Sequence, residues 1–123
     1  AYPTLKLTYA TAAEPKWIAD WSNTGSLDQV GFNLYVAFTD LTNQIKTNPK
    51  AVISEWNTDD GINWAGGSQS RWARELVKDR NIINNAGLKS YLFVIRGNGG
   101  GIDSRYALWN GNTRSQAWQM LVK

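Results

Sequence analysis

Along the chain, short runs of strand-forming residues alternate with stretches of helical spacing. Residues 5–10 (LKLTYA) alternate apolar with polar and predict a first strand. Pro15 suits the first turn of a short helix over residues 16–21, with Trp17, Ile18 and Trp21 as its inner face. Residues 30–38 (VGFNLYVAF) are apolar nearly throughout, as in a strand covered on both faces. Asp40 is then positioned to cap a helix over 41–46, which Asn48 and Pro49 stop. Val52 and Ile53 form the centre of a third strand, and the turn-forming run from Asn57 to Gly61 ends it. The clearest helix covers 69–86, with Trp72, Ala73, Leu76, Val77, Ile83 and Ala86 on one face. Gly87 is its expected left-handed stop. Residues 88–95 predict a fourth strand, 96–101 an irregular loop, and 113–122 a last helix capped by Asn112. Strand–helix alternation with short connections predicts an α/β fold of four βα units with parallel strands, forming a single domain.

Composition narrows the chemistry. The 123 residues suffice for one ordinary domain, and no apolar run approaches a membrane span of about 20 residues. Cysteine and histidine are both absent, which removes disulfides, thiolate catalysis, Ser-His-Asp triads and the commonest zinc ligand. A net charge of +3 is spread along the chain without a Lys/Arg cluster, so neither nucleic acid nor membrane is expected as a partner. The Gly-rich run at 97–101 lacks phosphate-loop spacing. Acid–base chemistry therefore falls to carboxylates, Lys, Tyr or Arg. Seven tryptophans are present. Trp72 and Trp118 fit helix inner faces. Trp56 and Trp64 lie in or beside turns, where an indole can offer its face to the apolar side of a sugar ring.

The candidate catalytic group is Glu55. It ends the third strand, and carboxyl-terminal strand tips are where parallel α/β enzymes hold their chemistry. Its plainer alternative is a strand-capping acid or the partner of a nearby Arg. Glu14, Asp59 and Asp60 are the other acids near strand tips, and loop acids are usually solvated.

Taken in order, the four units resemble the C-terminal half of a clan A type (β/α)8-barrel glycoside hydrolase. The residues around Asn33 and Tyr35 are similar to that family's sixth strand. Ala51-Val52-Ile53-Ser54-Glu55-Trp56 is similar to its seventh, and residues 87–93 to the approach to its eighth. The resemblance implies a retaining mechanism with Glu55 as nucleophile and Tyr35 hydrogen-bonded to it. Trp56, Trp64, Asn33, Arg96 and Asn98 would line the sugar-binding subsites. No metal or cofactor is expected, because retaining hydrolysis uses two carboxyl groups about 5–5.5 Å apart. The family's general acid/base ends its fourth strand, and this chain starts at what would be the fifth. Where the family's eighth strand commonly ends in an aromatic, Ile95-Arg96 stands instead.

A half barrel would leave two open edges, so a second half-barrel chain, a longer protein or a homo-oligomer is the expected partner besides carbohydrate. A secreted or extracellular location is favoured, although no signal peptide is visible. Three functions remain open: a glycosidase component, a non-catalytic carbohydrate-binding remnant, and a structural or assembly protein.

Overall fold

A computed structural model of the chain describes residues 6–21, 25, 27–58, 68–93, 96–97 and 107–122. The fold is α/β, with a parallel four-stranded sheet alternating with helices. In chain order the elements are β1 (Thr8–Ala12), α1 (Pro15–Asp20), β2 (Gln29–Leu34), α2 (Phe38–Ile45), β3 (Ala51–Trp56), α3 (Gln69–Asn85) and β4 (Ser90–Leu92). They are followed by β5 (Arg96–Gly97), β6 (Trp109–Asn110), β7 (Thr113–Arg114) and α4 (Gln116–Leu121). Strands β1 to β4 lie side by side in sequence order, and β5 to β7 form a second, three-stranded sheet. The chain divides into two compact units, Ala1–Trp56 with Ile83–Tyr91, and Asn57–Ile82 with Leu92–Lys123.

In the first unit, β2 lies between β1 and β3 and is its most buried strand. Val30, Phe32 and Leu34 are fully buried on one face, and Phe38, Leu41 and Ile45 of α2 are buried with them. The nine-residue apolar run is shorter as a strand than its composition predicts. β2 stops at Leu34, and Val36 is exposed. Ala37 then adopts a left-handed φ of 48°, an uncommon conformation for a residue with a Cβ. That turn starts α2 at Phe38, so Asp40 lies in its first turn, beside the positive end of the helix dipole, and not at its N-cap. The gain is burial: the Phe38 ring packs edge-on against the Trp56 indole, with centroids 6.3 Å apart.

The link into β3 is held by Asn48. Its side chain accepts from the Lys50 N–H at 2.9 Å and donates to the Trp21 carbonyl at 3.1 Å. The Lys50 ammonium donates to the Leu27 carbonyl at 2.6 Å. The first bond satisfies a backbone N–H in the turn before Ala51, and the other two tie that turn to carbonyls of the segment between α1 and β2.

Helix α1 turns its inner face differently from the expected one. Ile18 is buried, but Trp17 is 39% exposed, with the Lys16 ammonium 5.3 Å from its ring centre. Trp21 stacks on Tyr9 at 4.4 Å. With only six residues, α1 has too few turns to bury two indoles on one side.

Helix α3 matches its expected span to within one residue, and Trp72, Ala73, Leu76 and Ile83 are buried along it. Gly87 has φ 73°, the left-handed stop that glycine adopts without a Cβ clash. On its polar face the ion pair is Lys78–Glu75 at 2.9 Å, one turn along from the Arg71–Glu75 spacing available in the sequence.

The last segment departs from a fourth βα repeat. Thr113 and Arg114 belong to β7, antiparallel to β6 across a tight turn at Gly111 (φ 58°) and Asn112. The final helix therefore starts at Gln116 and is capped by Ser115, whose Oγ accepts from the Trp118 N–H at 3.1 Å. β-Branched Thr113 fits a strand, and the Gly111-Asn112 pair fits a hairpin turn, so local chemistry explains the replacement of the expected Asn112 cap.

Candidate functional site at the tips of β2 and β3

The site comes from an irregularity between β2 and β3. Phe32 pairs with Ile53, but the next pair is Asn33 with Glu55, so the ladder skips Ser54. This is a β-bulge, in which two residues of one strand oppose one of its partner and a side chain is re-aimed. In a straight strand Ser54 and Trp56 would share one face, and Ile53 and Glu55 the other. Here Ser54 and Glu55 are both half-buried, whereas Ile53 and Trp56 are both buried.

Ser54 faces Gly31. A Cβ built on Gly31 would lie 2.6 Å from Ser54 Oγ and 3.4 Å from the Ala10 Cβ. Ser54 Oγ donates to Asn33 Oδ1 at 2.8 Å. That bond occupies the amide carbonyl of Asn33 and leaves its Nδ2 as the donor. Tyr35, one residue beyond β2, donates its hydroxyl proton to Glu55 Oε1. Among the described residues, Glu55 Oε2 has no hydrogen-bond partner, so one carboxylate oxygen is held and the other is available. Asn33, Tyr35, Ser54 and Glu55 thus form one polar group at the carboxyl ends of two adjacent parallel strands. The glycine, the serine and the bulge together make room for it.

Of the expected site residues, the structure brings together Asn33, Tyr35 and Glu55. Ser54 is the member that sequence reading missed. Its signal was the small residue Gly31 in the neighbouring strand, which only register could connect to it. Trp56 is corrected: its indole is 3% exposed and packs on Phe38, so it belongs to the core and offers no face to a sugar. Arg96 lies in β5, where it pairs with Trp109. Trp64 and Asn98, with Asp59 and Asp60, lie outside the described residues.

Glu14 follows the β1 tip and is exposed at the N-cap position of α1, without a side-chain capping bond. The tip of β1 is two strand spacings from that of β3, or about 10 Å. That is well beyond the separation of about 5–5.5 Å of a retaining carboxyl pair. The described residues contain no cluster of three or more acidic side chains that could hold a metal ion, and no described helix is long and apolar enough to cross a membrane.

Asn57, just after β3, is buried and donates through Nδ2 to the Phe93 carbonyl, while its Oδ1 accepts from the Thr58 N–H at 2.8 Å. It fixes the path of the chain where the turn-forming run begins.

Compared with protein-family models, with curated proteins and with solved structures, the chain has no match.

Proposed function

We propose that the chain is a glycoside hydrolase component in which Glu55 is the carboxylate nucleophile of a retaining reaction on an oligo- or polysaccharide. The observation that carries this reading is the Tyr35–Glu55 hydrogen bond at the carboxyl tips of β2 and β3. A hydroxyl donor on one oxygen orients a carboxylate and leaves the other to attack. In the first step Glu55 Oε2 would bond to the anomeric carbon as the leaving oxygen departs with a proton from a second carboxylic acid. Water would then displace Glu55, with that second group taking the water's proton. The acid must come from outside the described residues or from another chain. Asn33 Nδ2 is suited to donate to a sugar hydroxyl near the attacked carbon.

A half (β/α)8 barrel is the architecture that accords with this role. Ala10 and Ala12 of β1 are exposed, and the sheet face that carries Ala10, Gly31 and the buried Val52 becomes polar toward its carboxyl end at Asn33 and Ser54, as a barrel interior near its active end can be. A second half-barrel chain, or a second copy of this one, would pair the open edge and bring the missing acid. The expected mass in solution is therefore at least that of a dimer, checked by sedimentation or light scattering. A monomer would count against this closure.

The functional test is reducing-end release from a panel of oligosaccharides by the intact assembly. Tyr35→Phe should lower kcat by about tenfold, the scale of a lost hydrogen bond to a charged group, with KM and the melting temperature nearly unchanged. Equal kcat in the variant would remove Tyr35 as a positioning residue. No release from any member of the panel would argue for the non-catalytic alternative.

A further inference from the structure

We propose that a cleft on α4 of the second unit binds a carboxylate-bearing sugar, a hexuronate ring of an acidic glycan. The cleft is a shallow depression open to solvent, lined by Arg114, Trp118, Gln119 and Val122, with a volume of about 330 Å³. That is near the lower end of small-ligand pockets, which span about 300–1,000 Å³, and suits a single ring.

The charge comes from Arg114. Its guanidinium lies 4.8 Å from the Trp109 ring centre and 5.9 Å from that of Trp118. The two indoles meet edge to face at 5.2 Å, which braces them under the cation. A guanidinium resting on aromatic rings keeps its in-plane N–H donors directed outward, in the fork that matches a carboxylate. Arg114 is exposed, and the Lys78–Glu75 ion pair does not involve it. Among the described residues, no acidic side chain lines the cleft. An anion is thus the complementary ligand, and a neutral sugar would leave the guanidinium unmatched.

The rest of the lining selects the body of the ligand. Trp118 and Val122 supply an apolar wall for the C–H face of a pyranose, and the exposed Gln119 amide can both donate to and accept from ring hydroxyls. An aromatic acid would match the charge and the wall but leave the amide unused. A nucleotide phosphate would face only one cation.

The support is preorganised. Ser115 caps α4 through Oγ, and its N–H donates to the Leu108 carbonyl at 2.8 Å. Arg80 Nη1 donates to the Leu121 carbonyl at 2.9 Å, holding the other end of the helix. The Gly111-Asn112 turn sets Arg114 at the end of its hairpin, directly before the capped helix. The site goes beyond the Glu55 reading and stands without it.

The test is ligand-observed NMR titration of the full chain with methyl glucuronide, methyl glucoside, benzoate and a nucleoside monophosphate. Methyl glucuronide is expected to bind most tightly, with the other three weaker by about tenfold or more. Arg114→Gln should weaken glucuronide binding by about tenfold. If Arg114→Gln fails to fold, Gln119→Ala replaces it, with severalfold weakening expected and unchanged binding overturning the assignment. Absence of glucuronide binding, equal binding of the glucoside, benzoate or the nucleotide, or full affinity in folded Arg114→Gln would each overturn it.

Discussion

Glu55→Gln is expected to reduce glycoside hydrolysis by the intact assembly by at least about 10³-fold while leaving sugar affinity within a few-fold. Glutamine keeps the shape of the side chain and retains an Oε1 acceptor for the Tyr35 hydroxyl, so the link between the β2 and β3 tips survives. What would be lost is the charged oxygen proposed to attack the anomeric carbon. The ground-state contacts proposed for Asn33 would be untouched, which is why KM should move little and kcat should carry the loss. Initial rates of reducing-end release at several substrate concentrations, set beside a direct binding titration, check both halves of the expectation. Turnover equal to the parent's would end the assignment of Glu55 as nucleophile, however well the sugar bound.

The largest expected stability effect is at Gly31. A Cβ added there would sit 2.6 Å from Ser54 Oγ and 2.7 Å from Ser54 Cβ, both closer than real Cβ contacts come. The hydroxyl can rotate away, but the Ser54 Cβ is fixed by the backbone of β3. Any side chain at position 31 therefore forces β2 and β3 apart at the bulge. Gly31→Val should cost about 3 kcal/mol, the upper part of the range for overpacked interiors, read as a lower denaturant midpoint. The cause is separable from a general strand effect. In a Gly31→Ala background, Ser54→Gly should recover stability because it removes the clashing carbon, whereas Ser54→Ala should not, because its Cβ stays in place. Equal outcomes for the two second-site changes would show that the Gly31–Ser54 approach is not the limiting contact. The same crowding would disturb the Ser54–Asn33 hydrogen bond, so Gly31 variants should also lose function beyond their loss of stability.

Much of the fold was legible because its signals are local. The apolar spacing from Trp72 to Ile83 and Gly87 after it bounded α3 almost to the residue. Tyr35 and Glu55 could be paired only through resemblance to a known arrangement, and their contact in space accords with that pairing. The expectations that moved depended on neighbours distant in sequence. The apolar run at 30–38 carried no mark of its own end. Strand and helix divide it at Ala37 because Phe38 finds Trp56, the last residue of the next strand. Similarly, Thr113 and Arg114 read as the start of a helix until β6 provides a strand for them to pair with.

By itself, then, the sequence determined the alternation of strands and helices, the position of a carboxylate at the end of β3, and the exclusion of histidine and cysteine chemistry. Those follow from periodicity, turn residues and composition, which need no partner to be read. Only the tertiary structure decided which way the residues of β3 face. Side chains alternate along a strand, so one extra residue in the ladder reverses every assignment beyond it. The bulge at Ser54 did this. It turned Trp56 from a supposed sugar platform into core and set Glu55 on the side where Tyr35 can reach it.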